Sequence, residues 1–360
     1  MDLKIFSFFS GCGLLDLGFE KTGYDIQLVN EFSPSFMRAY RYSREKLHLK
    51  SPEFGYSIDI NEYLLERSDE LREQVKKAHV NDSLVGFIGG PPCPDFSVAG
   101  KQRGRNGDNG KLSLAYFQLI KEQCPDFFLF ENVKGLWKTT KHRAYYEELK
   151  QIIARDYAMT ERLTNALEFG VPQDRDRILL FGVNKKIRDD ITDFPWEQHI
   201  IYDLVKIKSL PWPVSEPFSE NESRLCPDGI PQMLTVQYWF DKNDVEHHPN
   251  GKDVFAPRGG YQKMLSIYEG DDSKKSYKRL HRWRYSPTVA YGNNEVHLHP
   301  YKARRISVAE ALALQSLPKE FELPSEMSLT DKFKTTGNGV PFLLSKGIAK
   351  TIKYYLGGEV

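Results

Sequence analysis

The sequence contains few cysteines and no long apolar run, and these two absences exclude several classes of protein. Its four cysteines, Cys12, Cys93, Cys124 and Cys226, lie far apart, and no two of them form a C-x-x-C pair. This spacing argues against a disulfide framework or a zinc site and favours reduced thiols in a cytoplasm. No stretch of about 18 consecutive apolar residues is present, so the sequence predicts no membrane-spanning helix.

The amino terminus also lacks a targeting signal. The segment MDLKIFSFFSGCG has no charged region followed by a small-residue cleavage site, so we do not interpret it as a signal peptide. With 360 residues, of which 40% are hydrophobic and 28% charged, the chain fits one large α/β domain with a smaller one, or two domains. A net charge of +1 does not by itself indicate a nucleic-acid partner.

The stretch from Leu84 to Ser97, LVGFIGGPPCPDFS, combines a buried-strand pattern with a stiff turn. A short apolar run ends in two glycines and two prolines, and Cys93 follows at once. This pattern is typical of the carboxyl end of a parallel strand, where open α/β sheets place their functional groups. Because proline fixes φ and removes a backbone donor, the turn holds the thiol in one direction. A single loop cysteine is more often structural than reactive, so the interpretation depends on the rest of the chain.

A glycine-rich turn, SGCG, connects the first predicted strand, Lys4–Phe9, to an amphipathic helix. Such a turn lets a ligand approach the backbone at a helix N-terminus. The dinucleotide fingerprint G-x-G-x-x-G would need a glycine where Asp16 stands, which makes the turn a poor match to a nicotinamide or flavin site. The second predicted strand, Ile26–Val29, is followed by Glu31, where Rossmann-like domains place a carboxylate on ribose hydroxyls.

Two more predicted strands end in an acidic side chain. Asp59 lies at the tip of a third strand, and Glu131 follows the apolar strand Phe127–Phe130. A lone glutamate in this position is more often a cap or a solvated residue. Because the carboxyl ends of parallel strands meet at one edge of a sheet, however, Glu131 and Cys93 are expected in one crevice.

Two further segments carry polar groups that suggest ligand contacts. Residues 100–110, GKQRGRNGDNG, predict either a solvated loop or a mobile lid that closes over substrate. Gln173, Arg175 and Arg177 alternate along an extended segment, so period-2 geometry places all three on the same face.

The segment from about Lys185 to Pro287 breaks the regular strand–helix alternation. Proline, glycine, tryptophan and tyrosine become frequent there, which predicts a separate, irregular domain with β structure. Between Lys263 and Arg305 the chain has ten Lys or Arg against four acids, interleaved with aromatic residues. A basic, aromatic surface suits nucleic-acid contacts, although a charge run alone is often only a solvated face.

Taken together, these stretches resemble the cytosine-C5 DNA methyltransferase family, in its prokaryotic or phage type, over nearly the whole chain. FFSGCG resembles the first cofactor motif, Glu31 and Asp59-Ile60 the next two, PPCPDFS the catalytic Pro-Cys motif, and ENV the acidic motif. QDRDR matches the Gln-x-Arg-x-Arg motif, while RRISVAEALALQSLP and GNGVP resemble the last two motifs. The departures from the common pattern are small: Leu14, Ile58, Pro94 and Asn109.

The resemblance implies an α/β fold with two parts and a defined cofactor. A Rossmann-like S-adenosylmethionine-dependent methyltransferase domain would comprise residues 1–184 plus 319–360, and a smaller, irregular, β-containing target-recognition domain residues 185–318. The donor would be S-adenosylmethionine, released as S-adenosylhomocysteine, and no metal would be needed. The expected cofactor residues are Phe9, Ser10, Gly11, Cys12, Gly13, Glu31, Asp59, Ile60, Pro91, Asn338, Gly339 and Val340.

The chemistry implied by the resemblance assigns three catalytic residues. The Cys93 thiolate adds to carbon 6 of cytosine, so that carbon 5 becomes able to attack a methyl sulfonium. Glu131 donates toward N3 of the ring, most effectively if its pKa is raised. Arg175 is expected to hold the ring carbonyl and favour the thiolate. Since the target atom is inside a duplex, the cytosine must be flipped out, with residues 100–110 as the closing element.

Other functions remain to be separated from this one. The same chemistry on transfer RNA is the nearest alternative, although residues 185–287 favour a specific double-stranded DNA sequence, because a duplex reader needs its own groove-binding surface. A catalytically inactive DNA-binding module would have lost Cys93 or Glu131, and a cysteine hydrolase would need a framed histidine base. We expect a monomer in the bacterial cytoplasm, associated with the nucleoid. A restriction endonuclease that acts on the same site is a candidate partner.

Overall fold

The structure, a computed structural model, describes residues 2–358 except for 53, 57, 81, 93–107, 258–259, 275 and 289–296. The strands are β1 (Leu3–Phe8), β2 (Asp25–Asn30), β3 (Phe54–Tyr56), β4 (Leu84–Gly89), β5 (Phe127–Val133), β6 (Tyr157–Asn165), β7 (Gln173–Asp174), β8 (Asp176–Asn184), β9 (Lys278–Arg279), β10 (Ser286–Pro287) and β11 (His297–Leu298). The α-helices are α1 (Leu14–Glu20), α2 (Pro34–Lys46), α3 (Ser68–Ala78), α4 (Asp108–Gln123), α5 (Lys134–Lys138), α6 (Thr140–Ile153), α7 (Leu204–Ser209), α8 (Val236–Lys242), α9 (Tyr261–Leu265), α10 (Val308–Leu314), α11 (Leu329–Asn338) and α12 (Phe342–Tyr355).

A seven-stranded sheet in the order β3-β2-β1-β4-β5-β8-β6 forms the centre of the fold. β1 to β5 pair in parallel, whereas β8 runs antiparallel to both β5 and β6. The order reverses beside β1, since the chain first builds outward to β3 and then returns to β4. At such a switch point the loops on the two sides diverge and leave a crevice at the carboxyl ends of the strands. The predicted Rossmann-like α/β class is confirmed.

Helices cover both faces of the sheet, which explains why its central strands are apolar without alternation. On one face Ile5 packs in a cluster with Phe19 of α1 and Ile348 of α12. On the other face Phe6 packs in a cluster with Leu119 of α4. Ile5 and Phe6 are consecutive, so their opposite directions follow from the two-residue period of a strand.

The carboxyl-terminal helix α12 packs directly on the first helix, α1. Ser345 donates from its hydroxyl to the carbonyl of Leu15, and Tyr24 donates to the carbonyl of Ala349 at 2.9 Å. A Cβ added at Gly18 would lie 2.1 Å from Ser345 Oγ, so only glycine permits this approach. These contacts hold α12 against α1, while the division into residues 1–184 plus 319–360 and residues 185–318 stays a prediction.

Two observations modify the picture drawn from sequence. α4 begins at Asp108, so residues 108–110 of the predicted lid are helical, while residues 100–107 lie outside the described residues. α10 lies within the predicted recognition domain, yet its Leu312 shares an apolar cluster with Leu14 and Phe333. The described residues of 185–318 otherwise form short helices and two-residue strands. Among the described residues, no helix combines the length and apolarity needed to cross a membrane.

Candidate active site

The turn after β1 has an unusual backbone conformation. Phe9, Gly11 and Gly13 have φ values of 57°, 58° and 83°. Left-handed φ is costly for a bulky residue such as Phe9, and such strain concentrates at functional sites. Among the described residues, a Cβ added at Gly11 would come within 4 Å of Thr335 Oγ1 alone, at 3.6 Å, which is an ordinary van der Waals contact. Ser10 is buried and its amide donates to the carbonyl of Asn30 at 3.1 Å, which ties the turn to the end of β2.

Glu31, at the end of β2, uses both carboxylate oxygens to bind backbone amides. Oε2 accepts from Gly11 N and Oε1 from Ser33 N, each at 2.8 Å. Burial raises the pKa of Glu31, while these amide bonds pull the pKa down. Each carboxylate oxygen has lone pairs for a second donor, so ligand hydroxyls are able to bind beside the amides. The next residue, Phe32, is 70% exposed and was not identified from sequence; the signal that the sequence offered was its position directly after Glu31.

Asp59 begins a short 3₁₀ helix, Ile60–Leu64, as part of a capping box with Glu62. Its Oδ1 accepts from the backbone amide of Asn61 at 2.9 Å and from the Asn61 side chain at 2.7 Å. Asn30 donates to the carbonyl of Ile58 at 3.0 Å, so the end of β2 holds this segment in place. Asp59 therefore lies near the same edge of the sheet as Glu31.

Three of the expected cofactor residues have side chains that point into the protein. Cys12 is 1% exposed and burial raises the pKa of its thiol to about 11, so it is not a reactive cysteine. Ile60 and Val340 are likewise buried in apolar clusters. Any contact of these residues with a cofactor would come from their backbone.

The end of α11 lies beside the glycine turn, although the two are far apart in sequence. A Cβ added at Gly339 would lie 2.5 Å from the Leu14 side chain. Arg175 fixes this region, because its Nη2 donates to the carbonyls of Gly337 and Gly339 at 2.9 and 3.0 Å. Asn338 is thus held between two anchored carbonyls.

Glu131, at the end of β5, is buried against an arginine and a glycine. Arg177 Nε lies 2.7 Å from Glu131 Oε1, and the two side chains are 10% and 9% exposed. Burial raises the pKa of Glu131, whereas Arg177 and then Arg175 lower it. A Cβ added at Gly90 would lie 2.7 Å from Glu131 Oε2, so the glycine before the two prolines leaves room for the carboxyl group.

The turn that leads to Cys93 is attached to the strand that carries Glu131. Asn132 Nδ2 donates to the carbonyl of Pro91 at 3.4 Å, and Asn132 Oδ1 accepts from the amide of Val133 at 2.8 Å. Pro91 is buried. Cys93 itself lies outside the described residues, one position beyond Pro92.

The structure gives the two arginines of this segment different partners. Arg175, which the sequence analysis assigned to the cytosine ring, donates to backbone carbonyls and to Gln173 Oε1 at 3.3 Å. Arg177, which it did not single out as catalytic, contacts Glu131. The two-residue period in the sequence predicts both side chains on one face, so it gave no signal that they have different partners.

The composition of the stretch between Lys263 and Arg305 predicts an exposed basic surface, but some of its basic side chains are buried. Arg279 is fully buried and donates to the carbonyls of Ile267 and Met264 at 2.8 and 2.6 Å. Arg282 is buried in an ion pair with Glu269, with Nε 2.8 Å from Oε1. Lys274 is exposed. Within the described ranges no cluster of three or more His, Cys, Asp or Glu side chains could hold a metal ion.

Comparisons with known proteins give the same family along the whole chain. A family profile described as C-5 cytosine-specific DNA methylase matches residues 3–354. The chain is 56% identical over 356 residues to the Type II methyltransferase M.NmeDI of Neisseria meningitidis serogroup C, covering 98% of this chain and 84% of that protein. It is 30% identical over 373 residues to the Type II methyltransferase M.FnuDI of Fusobacterium nucleatum, covering 98% and 94%.

Solved structures share the fold. A prophage-encoded Escherichia coli protein described as a DNA modification methyltransferase superposes with a TM-score of 0.69 at 23% identity, over 99% of both chains. A mutant of Spodoptera frugiperda DNMT2 superposes with a TM-score of 0.60 at 16% identity, over 98% of this chain and 99% of that one. At these identities the likeness concerns the fold alone.

Proposed function

The chain belongs to the C-5 cytosine-specific DNA methylases, and we propose that its active site is the crevice at the carboxyl ends of β1, β2, β4 and β5. As a member of this family it transfers a methyl group from S-adenosylmethionine to carbon 5 of cytosine in DNA. Its similarity to a bacterial Type II methyltransferase favours DNA over transfer RNA. This location of the active site rests on the burial of Glu131 against Arg177 and Gly90, beside the turn that leads to Cys93.

The residues around the glycine turn fit S-adenosylmethionine. Glu31 and Asp59 offer carboxylate oxygens to ribose hydroxyls and to the adenine amine, and Phe32 offers an exposed ring for stacking on the adenine. Among the described residues, a Cβ at Gly11 would contact Thr335 Oγ1 alone, and the bare glycine would allow close approach to the backbone. Asn338 and Gly339 lie on the other side of the turn. When bound there, the cofactor supplies an electrophilic methyl group.

For this cofactor site we expect Asp59→Ala to raise the dissociation constant for S-adenosylmethionine about tenfold, because about one charge-assisted hydrogen bond is lost. Calorimetric titration of the variant without DNA measures the change. DNA binding should stay within about twofold of the unaltered enzyme. Unchanged cofactor affinity would exclude Asp59 from the site.

The base-binding side of the crevice would work with Cys93, Glu131 and Arg177, while Arg175 would act on the neighbouring segment. The Cys93 thiolate forms a bond to carbon 6 of the flipped cytosine, while Glu131 gives a proton to N3 and so neutralises the charge that develops there. Carbon 5 would thereby become nucleophilic toward the methyl group that the bound cofactor would supply, with S-adenosylhomocysteine as the leaving group. A base would then take the carbon-5 proton, Cys93 would leave as the thiolate, and N3 would return its proton to the Glu131 carboxylate. Arg177 positions the Glu131 carboxyl group, and Arg175 acts as a positioning residue for the segment Gly337–Gly339.

Residues 185–318 would read the DNA sequence. This segment interrupts the regular fold between the predicted catalytic and cofactor motifs, and it retains exposed cations such as Lys274. Phosphate contacts give affinity and salt dependence, whereas contacts to base edges give sequence choice. The buried Arg279 and Arg282 instead maintain the shape of the segment.

Bisulfite sequencing of genomic DNA from a methylation-free host that expresses this chain should therefore reveal 5-methylcytosine at one short sequence. In a chimera that carries residues 185–287 of a relative with another target, the methylated sequence should change while the methylated atom remains carbon 5. The chimera thus separates sequence recognition from chemistry.

The control for this experiment is transfer RNA from the same cells, in which we expect no added 5-methylcytosine. Methylation of transfer RNA without methylation of DNA would contradict the proposed substrate. A chimera that keeps the parent's target sequence would move recognition to residues 100–110 or 173–177.

A monomer is sufficient, because one chain carries every motif that the chemistry needs. A restriction endonuclease with the same target sequence would be its functional counterpart, as the Type II relatives suggest. The enzyme would act in the cytoplasm at the nucleoid, where its substrate lies.

A further inference from the structure

A buried arginine lies directly beneath the glycine turn. Arg44 of α2 has 0% exposure, and its guanidinium donates from Nη2 to the carbonyl of Gly13 at 2.7 Å and from Nη1 to the carbonyl of Cys12 at 3.3 Å. It also forms an ion pair with Glu20 of α1, with Nη2 2.6 Å from Oε2. The Tyr40 ring packs under the guanidinium at 4.0 Å.

The turn lies so close to Arg44 that its shape depends on this contact. A Cβ added at Gly13 would lie 2.4 Å from the Tyr40 ring and 2.6 Å from Arg44 Nη1. Two carbonyls in succession face one cation, which fixes the orientation of two peptide planes, since each plane moves as a unit. Gly11 and Gly13 would otherwise be the most flexible part of the connection.

Residues at the end of β2 and on α2 thus both form hydrogen bonds to the turn. Glu31 at the end of β2 binds the amide of Gly11, and Arg44 binds the carbonyls that follow. Asp16 lies in the same buried cluster and accepts from Ser7 Oγ at 2.7 Å. Burial raises the pKa of Asp16 to about 6 although Arg44 lowers it, so removal of Arg44 favours the neutral Asp16 carboxyl.

We propose that Arg44 is a positioning residue for S-adenosylmethionine: it holds the Cys12 and Gly13 carbonyls so that the turn is ordered before the cofactor binds. This role rests on the proposed placement of the cofactor at the Gly11–Gly13 turn. Preorganisation of a loop raises affinity because binding no longer has to order it.

The test removes the arginine without leaving a buried charge. Breaking a buried ion pair on one side is strongly destabilising, whereas replacing both partners by apolar residues is often neutral. In the double variant Arg44→Met/Glu20→Met we therefore expect a melting temperature close to that of the unaltered enzyme. Its dissociation constant for S-adenosylmethionine, measured by calorimetry without DNA, should rise about tenfold, since two hydrogen bonds to the turn are lost.

Two further variants separate positioning from stability. Glu20→Gln keeps Arg44 on the turn, so it should lower the melting temperature but leave cofactor affinity within about twofold. Arg44→Lys keeps a cation but has no planar fork to bind two carbonyls, so its dissociation constant should rise by about threefold. Arg44→Lys also keeps the charge beside Glu20, and it provides the measurement if the double variant does not fold.

The matched control is Arg279→Met, which removes another fully buried arginine that donates to backbone carbonyls. It should lower the melting temperature and leave the cofactor dissociation constant unchanged. An equal loss of cofactor affinity in Arg279→Met, or normal affinity in both Arg44 variants, would overturn the inference. A normal affinity of Asp59→Ala together with weak binding by the Arg44 variants would instead contradict the assignment of Asp59.

Discussion

Cys93→Ala is expected to abolish methyl transfer while DNA binding stays within a few-fold of the unaltered enzyme. Carbon 5 of cytosine is a poor nucleophile until a thiolate adds at carbon 6, and alanine offers no group that can add. The loss should be complete within the detection limit of a tritiated-methyl transfer assay, because no other cysteine among the described residues lies at the carboxyl end of β4 or β5. A gel-shift titration measures retention of DNA binding.

A DNA duplex with 5-fluorocytosine at the target position provides the direct readout of the adduct. Fluorine cannot leave as a proton does, so the adduct should accumulate with the unaltered enzyme and be absent with Cys93→Ala. Cys124→Ala is the matched control, because Cys124 is exposed at the end of α4 and should be dispensable. Methyl transfer by Cys93→Ala, or trapping through another cysteine, would refute the covalent mechanism.

The strand ends could be predicted from the sequence because each one is a local pattern. A short apolar run followed by glycine, proline or an acid marks the end of a buried parallel strand. Parallel pairing then brings Glu31 and Glu131 to one edge, whatever the details of the loops. Both residues lie at this edge in the structure, after β2 and within β5.

The partners of these groups could not be predicted, because they come from distant parts of the chain. Arg175 binds the carbonyl of Gly339, 164 residues further on, and no local pattern relates the two. Arg44 likewise reaches back 31 residues to Gly13. The composition of the basic stretch also gave the wrong expectation for Arg279, which is buried and not exposed. A cation inside an irregular segment can be buried when backbone carbonyls accept its hydrogen bonds.

The second large effect is expected on the catalytic rate when the buried Glu131 is replaced. Glu131→Gln should reduce kcat by roughly 10²-fold or more, since an amide can donate a hydrogen bond to N3 but cannot give up a proton. Cofactor affinity should change little, because Glu131 lies on the β5 side and the glycine turn on the β1 side. Single-turnover methyl transfer measures the chemical step, and calorimetry measures cofactor binding.

The pH dependence distinguishes loss of the acid from loss of structure. Burial raises the pKa of Glu131, so its protonated form persists to higher pH than an exposed carboxyl would allow. The rate of the unaltered enzyme should fall as pH rises through this pKa. The rate of Glu131→Gln should not show this decrease with pH. Gly90→Ala is the matched control: its Cβ would displace the Glu131 carboxyl but keep its proton, so the rate should drop while the decrease with pH remains. A normal rate for Glu131→Gln would assign proton donation to another group.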